Sequence, residues 1–167
     1  MANSEQLEYL QDSADDWNVY RREHAITRPD LRGADLSAAE LPGADLSGAD
    51  LAGADLRAID LTNANLANAD LSGANLSGAY LLNVVLSGSN LAGADLTGAN
   101  LTEVNAANAN LTNAILSGAI LSGANLANAD LTNATLLQAD LSEANLANAD
   151  LSKADLSGAV GFNSSGT

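Results

Sequence analysis

From Leu31 to Leu156 a leucine stands at every fifth residue, and only Ala106 breaks the series. Two positions before each sits a small residue, usually alanine, so the register reads Ala-(Asp/Asn)-Leu-x-x, as in Gly43-Ala44-Asp45-Leu46-Ser47. Neither regular element accommodates this period. On an α-helix five residues rotate the side chain by roughly 140°, which would wind the leucines around the whole surface. On a straight strand an odd step sends alternate leucines to opposite faces, while the alanine two residues earlier shares the face of its own leucine. The backbone must therefore bend once per repeat. With bends near a right angle, four pentapeptides close one square coil of 20 residues, every Leu and its Ala pointing at the axis.

The 26 pentapeptides between Pro29 and Val160 make six and a half such coils. At ~4.8 Å between stacked strands the rod is roughly 31 Å long. The expected class is an all-β solenoid, residues 29–160, preceded by an N-terminal helical cap, residues 1–28, and followed by a C-terminal tail, residues 161–167.

The leading segment is built differently. Asn3 and Gln6 are spaced as a capping box, and Leu7, Leu10, Ala14, Trp17 and Tyr20 follow as a helical stripe. Ser13 followed by Ala14-Asp15-Asp16 also fits the start of a second helix with Arg21 and Arg22 in its last turn, so one helix or two remains open. Pro29 ends the helical stretch. The first coil of a solenoid exposes its lumen and a row of unpaired backbone groups, and the Leu7/Leu10/Trp17/Tyr20 stripe is the expected lid.

Gly or Asn occupies most positions two after the leucine, which fits a type II-like corner with positive φ. Ala38, Glu103, Gln138, Glu143 and Lys153 take the same place, and another turn type is expected there. Asn108, Asn128 and Asn148, 20 residues apart, are expected to stack as a ladder. Val84 and Val104, also 20 apart, are larger than the usual alanine and are expected to fill space lost at Ala106.

The chain resembles the pentapeptide-repeat family over residues 29–160, through its central Leu, the preceding Ala-Asp or Ala-Asn and the following Ser/Thr/Arg-Gly. That resemblance implies a right-handed quadrilateral β-helix. The segment Trp17–His24 before Pro29-Asp30-Leu31 is similar to the helical leader of bacterial, especially cyanobacterial, members. The chain departs from members centred on Phe and from those with a terminal disulfide.

Chemistry must come from the surface, and its parts are few. The chain holds no cysteine and one histidine, His24, so nucleophile triads and Cys/His metal sites lack components, and neither catalytic residue, metal nor cofactor is expected. Asp30, Asp50, Asp70, Asp130 and Asp150 fall in one acidic column, in which Asp30, Asp50 and Asp70 stand at the ~5 Å spacing of a retaining-glycosidase pair. A convex rod face, however, offers no pocket to exclude water. No apolar run reaches the roughly 20 residues of a membrane span, and no signal-peptide pattern opens the chain. A cytoplasmic protein is expected, a processed periplasmic or lumenal form being left open.

Asp plus Glu outnumber Lys plus Arg by 21 to 6, which disfavours direct contact with nucleic acid or anionic membranes. The family resemblance brings in a concrete partner, because some members mimic DNA and bind gyrase. Residues 29–160 carry 15 acids and three bases, against about 18 charges on the same length of B-DNA. Eight of those acids lie between Asp30 and Asp70, only Asp95 and Glu103 lie between residues 71 and 129, and five follow from Asp130 on. The nearly neutral middle instead holds Tyr80, Leu82, Val85, Ile115, Ile120 and Leu137 at outward positions, an expected interaction strip for a protein partner. Beyond Leu156 no second helix follows, and Phe162 is expected either to plug the lumen or to contact a second copy in a two-fold dimer through the final coil. The reading is a non-enzymatic structural or protein-interaction rod, with acidic mimicry of DNA toward gyrase or topoisomerase as the alternative.

Overall fold

The computed structural model describes residues 2–161. Parallel single-residue bridges join positions 20 residues apart without interruption, from Asp30 with Asp50 to Asp140 with Val160, so the coil is four-sided. Four columns of outward residues result, here named the first face (Asp30, Asp50, Asp70 and onward), the second (Asp35, Asp55), the third (Glu40, Asp60, Tyr80) and the fourth (Asp45, Asn65, Val85).

One repeat shows why the sequence takes this shape. Asp70 N–H donates to the Ala49 carbonyl of the coil before (2.8 Å), while Leu71 and Gly73 donate to Asn90 and Ala92 of the coil after (2.7 and 2.9 Å). Ala74 N–H closes the corner onto the Leu71 carbonyl (3.0 Å). The remaining N–H, that of Ser72, bonds the Asp70 side chain (3.0 Å). All five donors of the pentapeptide are thus engaged, and the Asp or Asn before each leucine has a backbone task that periodicity alone does not reveal.

The corners correct the expectation of mixed turn types. Positive φ occurs at all 26, including Ala38 (55°), Glu103 (55°), Gln138 (57°), Glu143 (60°) and Lys153 (62°). The left-handed conformation costs a residue with a Cβ about 1–2 kcal/mol. At Ala38, Glu103 and Gln138 the corner N–H bonds the next coil (2.8–2.9 Å), and at Glu143 and Lys153 the turn is closed by Ala144 and Ala154 N–H onto the Leu141 and Leu151 carbonyls (3.0 and 2.9 Å), so main-chain bonding imposes one turn geometry on whatever residue occupies the corner.

Inside, the Leu and Ala positions from Leu31 to Leu141 form one aliphatic core, with Ala39 half-buried. Leu146, Leu151 and Leu156 of the last coil are half-buried. At Ala106 a small void remains, with ≈ 10 Å³ of room for a water's centre, lined by Leu86, Leu101, Val104 and other aliphatic residues. With no polar lining group, the void is dry. Val104 borders it and Val84 does not.

The leading segment forms two helices, α1 (Ser4–Asp12) and α2 (Ala14–Glu23), with Ser13 ending the first and capping the second. The Asn3 side chain accepts from Glu5 and Gln6 N–H. Gln6 does not complete the capping box; its carbonyl oxygen accepts from Asp30 N–H (2.8 Å), and Asn3 N–H donates to the Asp30 carbonyl (2.7 Å). Leu10, Ala14, Trp17 and Tyr20 are buried against the first coil, while Leu7 is half-buried. Trp17 Nε1 donates to the Asp45 carbonyl (2.8 Å). Asn18 bonds both Gly43 O and Asp45 N–H (3.0 and 2.7 Å). Arg21 reaches the carbonyls of Ile26, Asp45 and Ser47. These side chains supply the partners a preceding coil would have given to the first and fourth faces.

Candidate functional surface

The residues expected to form an interaction strip separate into a main group and an outlier. Along the third face the column runs Asp60, Tyr80, Asn100, Ile120, Asp140, Val160. Tyr80 is 56% exposed and Ile120 42%. Leu82, half-buried, occupies the corner that follows Tyr80. Ile115 lies on the neighbouring second face, and Leu137 lies in the corner between the second and third faces, one coil above Ser117, both well exposed. Val85 belongs to the fourth face between Asn65 and Asn105 and is half-buried, so it stands apart. Val160, 55% exposed at the end of the third-face column, was not in the expected strip, although a 20-residue step from Ile120 and Asp140 finds it.

These positions differ from the rest of the rod in hydrogen bonding. Wherever Asp or Asn precedes the leucine, its side chain accepts from the N–H two residues on, as Asn100 does from Thr102 (3.1 Å) and Asp140 from Ser142 (2.9 Å). Val85, Ile115 and Ile120 have no side-chain acceptor, and neither Tyr80 nor Thr135 accepts from that N–H. The N–H groups of Leu82, Ser87, Ser117, Ser122 and Leu137 consequently have no acceptor among the described residues. Four of these donors rim the third face, Ser117 and Leu137 in one corner and Leu82 and Ser122 in the other. Glu40 also departs from Asp or Asn, but it precedes Pro42, which has no N–H to satisfy.

The first face carries Asp30, Asp50 and Asp70 at one end and Asp130 and Asp150 at the other, with Asn90 and Asn110 between. Its N-terminal end is partly neutralised. Arg32 holds Asp30 through two contacts (2.8–2.9 Å), and Arg28 lies 3.5 Å from Asp50. The hydrogen bond from Arg32 draws the Asp30 carboxyl down to about 2. At Asp70 burial pulls upward, yet bonds from Ser72 and Asn90 prevail and hold the carboxyl below its ordinary value. The middle of the column is a neutral ladder, Asn90 Nδ2 to Asp70 (3.0 Å) and Asn110 Nδ2 to Asn90 (3.1 Å). Asn148 donates to Asn128 (3.3 Å), the upper rung of the ladder expected at 108, 128 and 148.

An open groove of ≈ 710 Å³ separates α2 and residues 25–27 from the first coil, lined by Asn18, Arg21, Arg22, Asp45 and Ser47 among others. Arg21 is committed to backbone carbonyls there, and burial lowers its pKa against the opposing pull of Asp45. His24 is exposed, tilted over Tyr20 at 4.3 Å, with Tyr9 stacked on the other side at 4.0 Å. Among the described residues no group of three His, Cys, Asp or Glu side chains is placed to hold a metal, and no helix is long and apolar enough to cross a membrane. Phe162, expected as plug or dimer contact, lies outside the described residues.

A sequence model of pentapeptide repeats, in eight copies, matches residues 30–66, 64–102, 79–118 and 119–158. The chain belongs to the pentapeptide-repeat family. Among solved structures it is similar to trypsin-treated QnrB1, a plasmid-mediated fluoroquinolone resistance protein, at 25% identity over 78% of this chain and 75% of that one, with a TM-score of 0.66. HetL, a pentapeptide repeat protein involved in heterocyst differentiation regulation in the cyanobacterium Nostoc sp. strain PCC 7120, is 37% identical over 83% of this chain and 76% of its own (TM-score 0.35). Rfr23 from the cyanobacterium Cyanothece 51142 is 31% identical over 83% and 92% (TM-score 0.37). The comparison with curated proteins returned no match.

Proposed function

We propose that this pentapeptide-repeat protein is a non-enzymatic rod that binds a protein partner through the apolar part of its third face. The observation that carries this reading is the coincidence of outward apolar side chains with missing corner bonds. Each corner bond contributes about 0.5–1.5 kcal/mol, and Asp or Asn provides it at most repeats. Tyr80, Ile115 and Ile120 forgo that bond and expose apolar surface, two local costs that a contact with another protein offsets.

A pull-down comparing wild type with Tyr80→Ser/Ile120→Ser tests the proposal. Loss of a retained protein in the variant is the expected outcome, and an unchanged set of retained proteins overturns it.

The second reading is DNA mimicry toward gyrase or a related topoisomerase, supported by the net charge of −15 and by the likeness to QnrB1, a fluoroquinolone resistance protein. The surface favours it less, because the Asn90–Asn110 ladder interrupts the acidic column for two coils and Arg28 and Arg32 offset its beginning. A supercoiling assay decides: absence of inhibition or protection at high protein concentration removes the mimic.

A further inference from the structure

We infer that the partner presents an amphipathic α-helix with basic ends, laid lengthwise along the third face. This rests on the interaction role proposed above and adds the chemistry of what is bound.

Geometry comes first. Tyr80 and Ile120 are two coil steps apart, about 10 Å, which is the rise between helical residues i and i+7. Ile115 and Leu137 on one side and Leu82 on the other widen the apolar area around that axis. The surface is a flat face, so it receives the side of a helix carrying apolar residues at i, i+3 or i+4, and i+7.

Charge comes next. Along the third-face column Asp60 lies on the N-terminal side of the apolar area and Asp140 on its C-terminal side, while Asp95 on the second face and Glu103 in the opposite corner flank its middle. Arg57, the base nearest this face in sequence position, is held by Asp55 at 2.6 Å. The column is therefore apolar between two acids, Asp60 and Asp140, with Val160 one step beyond the second. Asp60 and Asp140 are four steps apart, about 19 Å, so complementary Lys or Arg residues stand about 13 positions apart on a helix. The free N–H groups of Leu82, Ser117, Ser122 and Leu137 add donors along both edges, which suit Gln, Asn or Ser beside the apolar stripe.

A second copy of this chain meets none of these conditions. Two third faces brought together antiparallel oppose Asp60 to Asp140, and brought together parallel they oppose each acid to itself. Donors then meet donors, and two chains of net charge −15 repel.

The test uses the full chain and a labelled synthetic 16-residue helical peptide with Leu at i, i+4 and i+7 and Lys pairs at both ends. Binding by fluorescence anisotropy is compared with that of a peptide carrying the same stripe between Glu pairs. The Lys-ended peptide binds, weakens with added salt and loses at least about tenfold in affinity on Tyr80→Asn/Ile120→Asn. The Glu-ended peptide does not bind. Because Asn rebuilds both corner bonds, the same double variant melts at a higher temperature than wild type, which separates lost binding from lost folding. Tyr80→Ser/Ile120→Ser, which does not rebuild them, must lose the peptide as well.

No binding of the Lys-ended peptide overturns the inference, as does equal binding by wild type and the Asn variant, which leaves charge alone as the cause. Sedimentation showing a dimer that the Asn variant abolishes replaces the helix with a second copy. Should the pull-down lose a partner while the peptide fails to bind, the interaction role stands and the helical, basic-ended partner falls.

Discussion

The first and third faces share one backbone and differ in what their outward position does. On the first face every residue from Asp30 through Asp150 is Asp or Asn, and each accepts from the N–H two residues on. On the third face Asp60, Asn100 and Asp140 do so, and Tyr80 and Ile120 do not. The difference teaches that the coil tolerates loss of these bonds locally, since the bridges of Tyr80 and Ile120 to Asn100 are intact. One face is committed to holding the rod together, whereas the other has positions released for contact.

Converting the first face into a copy of the third is the most severe way to break this contrast. Asn90→Ile/Asn110→Ile removes two corner bonds and two ladder bonds, and is expected to destabilise by about 2–4 kcal/mol in urea unfolding. A loss under about 0.5 kcal/mol would mean that the outward bonds do not support the rod.

Acid acts in the same direction with smaller effect. Asp30, Asp35, Asp55, Asp70, Asp150 and Asp155 on the first two faces are held below the ordinary carboxylate value, while the third face has Asp140 alone. Folded-state values below the unfolded ones mean that this stability is fully present above the unfolded value of about 4 and is lost as pH falls toward 2. The melting temperature should drop across that window. In Asp150→Asn, which keeps the oxygen acceptor but does not titrate, the drop should be smaller.

The lumen provides a comparison common to all faces. Val104→Ala/Ala106→Leu restores the regular pair at the void and is expected to stabilise by about 1 kcal/mol without altering any surface property. The smallest expected effect is that of Ile115→Asn, which returns an acceptor to the Ser117 N–H and should add about 0.5 kcal/mol. A destabilisation there would show that Ile115 already packs usefully on its own rod.

Much of the fold was legible because leucine and alanine report directly on burial. A period of five and the steps between equivalent positions led to the four-sided coil, and Ser13 with Asp15, Asp16, Arg21 and Arg22 carried the signals of a second helix. At Ala38, Glu103 and Gln138 intrinsic preference points away from positive φ and the hydrogen bonds to the next coil override it, whereas at Glu143 and Lys153 the same φ occurs with only the turn bond inside the repeat. Gln6 departed from its local motif because Asp30, distant in sequence, offered an unpaired N–H. On the surface, Tyr80, Leu82, Ile115, Ile120 and Leu137 cluster around the third face, Val85 lies around the corner on the fourth, and Val160 ends the third-face column at a 20-residue step that the sequence also carries. The role of Asp and Asn as acceptors was hidden because composition shows them only as polarity and charge.

The contacts of α2 with the rod have a further consequence. Trp17, Asn18 and Arg21 bond main-chain atoms of residues 43–47, with the Asp45 carboxylate and Ser47 hydroxyl as side-chain additions. Main-chain atoms are presented alike by every coil. A gene that gains or loses a whole coil therefore needs no matching change in its opening helices, and the length of the rod can evolve as an independent quantity, in increments of about 4.8 Å.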